Sequence, residues 1–464
     1  MTIWPPDRED LKRPAYRSLA DCLIRAVEAG EMKSGDRLQT HRELSDRLGL
    51  SVQTISRAYE ELTRRGFVTG EVGRGTFVRT NGLNLDSPWQ DDVEDQNDSL
   101  IDCSILKPVS ASIHMDNMRS ALSKLSDNLP ASVIFSFRPT RAQRLYHDTA
   151  VTWLALCGIE NCPETVQLTN GNTSAMTVSL MTSTSVGDLI VTEQMGHHTL
   201  KHLTRYLGLR LKGLETDEEG ILPEDFEHAC VSDTVKALYV MPSGLNPLAR
   251  MMGIERREAL CRIARKYDVL LIENDAWGPI QPGRPQPLAA LAPERTFYFT
   301  SFTKCIMPGL RSGYLIVPEI LASAAANSHL VSNWMATPML AEIASRWIRD
   351  GTAVKLLEWQ MKALGERNKL AAKVLGDIPF HASPNGLHIW LPLPASWEEE
   401  SFVTHARLHG VAIAPGSVFA ISETARHSGV RICLGVNTDI ALERGLGIIA
   451  RLIRSQPEPA LLGI

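Results

Sequence analysis

Cysteine pairs at metal or redox spacing are missing from this chain. Its eight cysteines stand at 22, 103, 157, 162, 230, 261, 305 and 433, with no CxxC among them. Cys157 and Cys162 form an isolated pair separated by four residues, so the pattern speaks for reduced, mostly buried thiols and against a zinc site or a disulfide framework. Long hydrophobic runs are missing too: none approaches the ~18 apolar residues of a membrane span. The opening stretch MTIWPPDREDLKRP has no apolar signal core. Nor is there an excess of base. Lys and Arg number 48 against 53 Asp and Glu, a net charge of −5, so any nucleic-acid contact must come from a local patch. Together these absences predict a cytoplasmic protein with no membrane partner. What is present is ordinary for a globular chain, with 44% hydrophobic and 22% charged residues. At about 150 residues per domain, 464 residues suggest two or three domains.

Residues 1–80 carry 14 Lys and Arg against 12 Asp and Glu, so a functional patch there depends on placement and not on bulk charge. Leu19, Leu23, Ile24 and Val27 follow helical spacing up to Gly30. Thr40 and Glu43 form a capping box, in which each side chain satisfies the other's free N–H, and the helix they open stops at Gly49. Ser51 can cap a third helix, SVQTISRAYEELTRRG, closed by Gly66. Two helices joined by so short a turn read as a helix-turn-helix. The run FVTGEVGRGTFVR then alternates like a small β-hairpin. Gln53, Thr54 and Arg57 lie on the N-terminal face of the third helix, where they can reach base edges and phosphates. Arg42 at the start of the second helix can fix a phosphate, and Arg74 sits at the hairpin tip, placed for a minor groove.

The segment SGDRLQTHRELSDRLGLSVQTISRAYEELTRRGFV, followed by GRGTFV, closely resembles the winged-helix domain of GntR-type regulators over residues 12–79. The resemblance implies a double-stranded DNA operator as partner, touched by Arg42, Gln53, Thr54, Arg57 and the wing around Arg74. Beyond it, residues 81–100 hold six acids and no base. Such a stretch cannot build a core and is expected to be a solvated linker that DNA phosphates repel.

From about residue 165, short apolar strands alternate with helical patterns. Strand candidates are Leu189–Val191, Ala237–Val240, Val269–Ile272, Thr296–Phe299 and Tyr314–Val317, and Glu255–Tyr267 is the best helix candidate. This is an α/β pattern with a mainly parallel sheet, whose chemistry belongs at the carboxyl ends of the strands. Thr169–Ser174 opens a helix whose free N–H groups suit a phosphate. Asn246 and Pro247 follow one strand, Glu273-Asn274-Asp275-Ala276-Trp277 the next, and Lys304 a third. A lysine packed between strands can have its pKa lowered enough to attack an aldehyde. The hydroxyls of Thr300, Ser301 and Thr303 and the guanidinium of Arg311 can hold a phosphate beside it. That pairing is what pyridoxal phosphate requires.

Residues 100–455 resemble fold-type I pyridoxal-phosphate enzymes of the aspartate aminotransferase class, and most of all the MocR subfamily, in which that fold follows a GntR-type winged helix. The motifs that carry the resemblance are LTNGNTSAM, MPSGLNPLARMMGIERR, SFTKCIMPGLRSGYL, GLHIWLPLP, GVAIAPGSVF and VRICLGV. It implies a winged helix at 1–80, a linker at 81–100 and a pyridoxal 5′-phosphate domain at 101–464 with a small C-terminal α+β subdomain at about 360–464. It implies that Lys304 forms the internal aldimine and Asn246 bonds the phenolic oxygen. Gly171, Asn172, Thr173, Ser301 and Arg311 would hold phosphate, and Arg431 would pair with an amino-acid carboxylate. The chain departs from the family in several places. Asn274 stands where a carboxylate pairs with the pyridine nitrogen, and a one-residue shift would bring Asp275 there instead. Trp277 stands for a tyrosine, His197 for the aromatic residue over the ring, and Leu248-Ala249 for Thr-Gly. A neutral amide stabilises a protonated pyridine far less than a carboxylate does. The expectation is therefore a homodimeric DNA-binding regulator that senses an amine or amino acid by aldimine exchange at Lys304. Its alternatives are a working aminotransferase and a regulator that has lost the cofactor.

Overall fold

The structure is a computed structural model, and it describes residues 4–8, 11, 13–28, 31–32, 36–64, 67–71, 75–78, 100–135, 137, 146–160, 163–281, 283–422 and 428–455. The chain divides into two compact units, residues 1–96 and 97–464.

In the first unit, helix α1 (Ala15–Glu28) forms where helical spacing predicts it, and α2 (His41–Leu48) and the start of α3 (Val52–Arg64) follow the predicted caps. The Thr40 hydroxyl accepts from the Glu43 N–H at 3.3 Å, and the Glu43 carboxylate accepts from the Thr40 N–H at 2.9 Å. Gly49 ends α2 at φ 60°, a left-handed conformation that costs glycine little. Ser51 then accepts from the Thr54 N–H at 3.1 Å and starts α3. Leu19, Leu23, Leu44, Ile55, Tyr59 and Leu62 are buried together against Val68 and Val78. Those two valines pair across the antiparallel strands β1 (Val68–Glu71) and β2 (Gly75–Val78). Burial of each such leucine contributes about 1.5–3 kcal/mol. The helix ends expected at Gly30 and Gly66, the wing tip with Arg74 and the acidic stretch at 81–99 lie outside the described residues.

The second unit begins with β3 (Ile101–Asp102). Its large sheet has seven strands: β4 (Gln167–Thr169), β5 (Leu189–Glu193), β6 (Arg210–Leu214), β7 (Val235–Val240), β8 (Leu270–Asn274), β9 (Thr296–Ser301) and β10 (Gly313–Ile316). Their spatial order is β4-β10-β9-β8-β7-β5-β6. The run from β9 to β6 is parallel, and β10 alone is reversed, antiparallel to both β9 and β4. Every residue of β5 and β9 is buried. Alternate side chains enter different cores: Leu271 packs with Phe226, Leu238 and Leu260, whereas Ile272 packs with Met176, Ile190 and Phe297. Helices thus cover both faces, which is why these strands read as continuous apolar runs. The helices that matter most for the site are α4 (Asn172–Ser183), α5 (His198–Tyr206) and α6 (Ile254–Lys266). The expected strand and helix bounds hold to within one or two residues.

The chain then enters α7 (Thr352–Leu375) and a smaller antiparallel sheet, ordered β11 (His381–Ala382), β12 (His388–Pro392), β15 (Gly429–Cys433) and β14 (Ala414–Pro415). Helix α8 (Asp439–Arg454) packs on it, burying Leu442, Leu446 and Ile449 with Phe402, Val430 and Ile432. Strand β13 (Val411–Ala412) pairs in parallel with β3, so the start of this unit is built into its end. Among the described residues no helix is long and apolar enough to cross a membrane.

Candidate functional site

The carboxyl ends of β4, β7, β8 and β9 bring the sequence-expected residues to one edge of the large sheet. Gly171 stands at φ 80° and precedes α4, whose first turn has no side-chain cap and no acidic residue. Its backbone N–H groups therefore carry the positive end of the helix dipole without a neutralising neighbour. The Arg311 guanidinium lies over Gly171, with Nη2 3.1 Å from where a β-carbon would stand. Arg311 itself adopts φ 42° and donates to the Asn170 carbonyl at 3.2 Å. Among the described residues, Ser301 Oγ, Thr303 Oγ1 and Ser174 Oγ are buried without a hydrogen-bond partner. Unpaired hydroxyls beside a guanidinium and a bare helix start suit a dianion. Thr300 does not join them, because strand alternation turns its hydroxyl toward Gly278, Cys305 and Cys157. Thr173 is exposed on the outer face of the first turn.

Lys304 follows β9 and is half-buried. Its ammonium donates to the Leu106 carbonyl. Burial pushes its pKa down to about 8, with Arg431 and Arg311 acting in the same direction against the Cys433 thiol. A free amine is therefore accessible at mildly alkaline pH. Arg431, on β15, is buried and sits with its guanidinium 4.7 Å from the centre of the Phe419 ring. It donates from Nη1 to Asn246 Oδ1 at 2.9 Å and from Nη2 to the Ser104 carbonyl at 2.7 Å, while Nε has no partner among the described residues. No carboxylate pairs with it among the described ion pairs. A buried cation in that condition is chemically suited to an anion.

The choice between Asn274 and Asp275 is made by strand alternation at the end of β8. Asn274 faces the cradle: its Oδ1 accepts from Asn172 Nδ2 at 3.2 Å, and its Nδ2 donates to the Tyr239 hydroxyl at 2.6 Å. Asp275 faces the opposite side, accepting from Arg284 Nη1 at 2.6 Å and from the Tyr298 hydroxyl at 2.5 Å. The shift that would place Asp275 in the cradle does not occur. The indole N–H of Trp277 is committed to the Gly244 carbonyl at 2.7 Å, and its ring stacks on His388 at 5.6 Å. His197 precedes α5 and stacks on His198 at 4.7 Å. Burial, His198 and the charges of Lys304 and Arg431 push its pKa down, so the ring is neutral.

In the first unit, Arg42, Gln53 and Arg57 are exposed at the starts of α2 and α3. The Arg57 guanidinium lies 4.4 Å from the centre of the Tyr16 ring, which orients it. The Thr54 hydroxyl lies 2.8 Å from Ser51 Oγ, so its first contact is with the cap.

Several groups at the site were not singled out from sequence. Ser104 and Leu106 contribute main-chain carbonyls, which no residue-type signal reveals. Tyr239, Phe419 and His388 are apolar or aromatic strand and turn residues whose partners come from distant segments. The GLHIW and GVAIAPGSVF motifs, which contain His388 and Phe419, and the strand candidate Ala237–Val240, which contains Tyr239, offered clues to position but not to these contacts.

Comparison with known proteins adds an independent line. Residues 137–447 match the description of aminotransferase class I and II, and residues 15–78 that of bacterial regulatory proteins of the gntR family. The chain is 26% identical over 451 residues to the uncharacterised HTH-type transcriptional regulator YdeF of Bacillus subtilis, covering 97% of this chain and 96% of that one. It is 26% identical over 371 residues to the HTH-type pyridoxine biosynthesis transcriptional regulator PdxR of Corynebacterium glutamicum, covering 78% and 79%. Its fold is similar to that of a Pyrococcus horikoshii kynurenine aminotransferase, with a TM-score of 0.70 at 19% identity over 77% of this chain and 91% of the other.

Proposed function

We propose, from the premise that this chain belongs to the class I and II aminotransferase family and carries a gntR-type module ahead of it, that it is a DNA-binding transcriptional regulator whose large domain holds pyridoxal 5′-phosphate as a sensing group. The observation that carries this reading is the meeting of Lys304, with its lowered pKa, and a phosphate cradle within a domain that follows a helix-turn-helix. Gly171, Asn172, Ser301, Thr303 and Arg311 would hold the phosphate, and Asn246, Asn274, His197 and Trp277 would surround the ring. When bound, pyridoxal phosphate supplies a carbonyl carbon that one primary amine can take over from another. Lys304 provides the resident amine, and its partial neutrality near pH 8 keeps that exchange reversible. Arg431 receives the carboxylate of an amino-acid-type effector. Asn274 offers no negative charge to the ring nitrogen, which favours sensing over transamination. The active molecule is a cytoplasmic homodimer on a two-half-site operator.

The test is borohydride reduction of the cofactor-treated protein followed by peptide mapping. The label is expected on Lys304. A label on another lysine, or none at saturating cofactor, overturns the reading.

A further inference from the structure

The short segment that leads from β3 into the body of the domain touches both cations of the site through its main chain. The Leu106 carbonyl accepts from Lys304, and the Ser104 carbonyl accepts from Arg431 at 2.7 Å. The segment is clamped on its other side. The Cys103 N–H donates to the Ala412 carbonyl at 2.8 Å, and the Cys433 N–H donates to the Cys103 carbonyl at 2.8 Å. Asp102 accepts from the Ser104 N–H at 2.7 Å and from its hydroxyl at 2.6 Å. The Lys107 carbonyl rests so close on Gly435 that a β-carbon there would lie 1.9 Å from it.

We propose that residues 103–107 are a strap that reports effector chemistry, and that the effector's carboxylate, not its amine, is the releasing group. This deepens the function proposed above and rests on it. On the Arg431 guanidinium, Nη1 is held by Asn246, Nη2 by Ser104, and Nε is sealed from solvent. With Nε sealed, a carboxylate that docks as a two-point acceptor meets the guanidinium at Nη1 and Nη2, the two atoms that Asn246 and Ser104 hold, and competes with those oxygens there. The Ser104 carbonyl is a neutral main-chain acceptor on a half-buried segment, and a carboxylate, being charged, outcompetes it for a guanidinium. Loading of cofactor on Lys304 removes the strap's other hold, at Leu106. A plain amine would therefore occupy the cofactor without freeing Ser104, whereas an α-amino carboxylate frees it. Asp102 lies two residues beyond the acidic stretch that leads back to the helix-turn-helix, so release of the strap loosens the chain at the root of that connection.

Hydrogen exchange at the Cys103, Ser104 and Cys433 amides tests this in the full-length, cofactor-loaded protein, with ethylamine and alanine as probes. Both probes are expected to change the visible spectrum, but only alanine should speed exchange at these amides, by at least about tenfold. Gly435→Ala and, independently, Asp102→Ala should show fast exchange without any probe and no further response to alanine. Equal acceleration by ethylamine and alanine, or a spectral change with alanine while exchange stays slow, overturns the strap and leaves the proposed function standing. If neither probe changes the spectrum, the proposed function falls, and the strap with it.

Discussion

In the proposed function, Asn274 is the residue on which the balance between sensing and catalysis turns. Its amide lies between Asn172 Nδ2 and the Tyr239 hydroxyl, and both can donate to a carboxylate as readily as they serve the amide. Asn274→Asp is therefore expected to be accommodated without repacking and to place a charge against the ring nitrogen. Each pKa unit restored to a proton on that nitrogen corresponds to about 1.36 kcal/mol, or about tenfold in rate if fully expressed in the barrier. Exchange of the amino-acid α-proton into deuterated water, followed by NMR, should rise at least about tenfold in the variant. Rapid and complete half-transamination by the native chain would show that the neutral amide does not restrain the chemistry. His388 offers a second test. It donates from Nε2 to the Pro247 carbonyl at 3.0 Å, and burial and the Arg431 charge push its pKa down to about 3. The folded chain thus keeps it neutral, while the unfolded chain protonates it below about pH 6.5. The stability this linkage supports is present above that pH and is lost as pH falls toward the folded value. Between about pH 7 and about pH 5 the native chain should lose about 2 kcal/mol more than His388→Gln, which donates to the same carbonyl and does not titrate. Urea unfolding at the two pH values measures the difference, and identical losses would mean that His388 is not held neutral.

At the scale of elements, the proposed DNA contacts on α2 and α3 are of two kinds. Arg57 projects from α3 with its guanidinium steadied by Tyr16, whereas Arg42 is exposed in the first turn of α2, beside the Thr40–Glu43 box. Arg57→Ala is expected to cost about 1–3 kcal/mol of operator affinity and to relax preference at one base position. Arg42→Ala should weaken all sequences alike and lower the salt slope by about one. Fluorescence anisotropy with operator and scrambled duplexes distinguishes them, and neither change should alter the cofactor spectrum. If both leave DNA affinity intact, the helix-turn-helix register is wrong. The same caps that define α2 and α3 were legible beforehand, because Thr40, Glu43, Gly49 and Ser51 act on neighbours three or four residues away. The wing was legible only as a hairpin pattern, and its Arg74 tip lies outside the described residues.

For the whole molecule, two winged helices held at fixed spacing are required to read half-sites one helical turn apart or a multiple of it. The proposed homodimer would supply them. Sedimentation at working concentration should show a dimer, and moving the half-sites by half a helical turn should abolish tight binding. A monomer that retains specific operator binding would contradict the arrangement.

The sequence by itself determined what depends on short range and on periodicity. The caps of α2 and α3 were readable from adjacent residues, and the buried strands from apolar runs. Lys304, Asn246 and the turn with Gly171 were singled out by their recurrence after strands, and Arg311 by its guanidinium close behind that lysine in the sequence. Tertiary structure decided what depends on which way a side chain leaves its strand and on who comes from far away. The period of two along β8 turns Asn274 into the cradle and Asp275 toward Arg284, a choice that depends on register and not on composition. The same alternation removes Thr300 from the phosphate hydroxyls. The indole N–H of Trp277 is taken by Gly244, 33 residues earlier. Arg431 meets Ser104 from 327 residues away through a carbonyl that every residue type possesses. Such a contact leaves no trace in residue identity, because every residue carries the same backbone carbonyl acceptor, and only the fold selects which carbonyl lies against which cation.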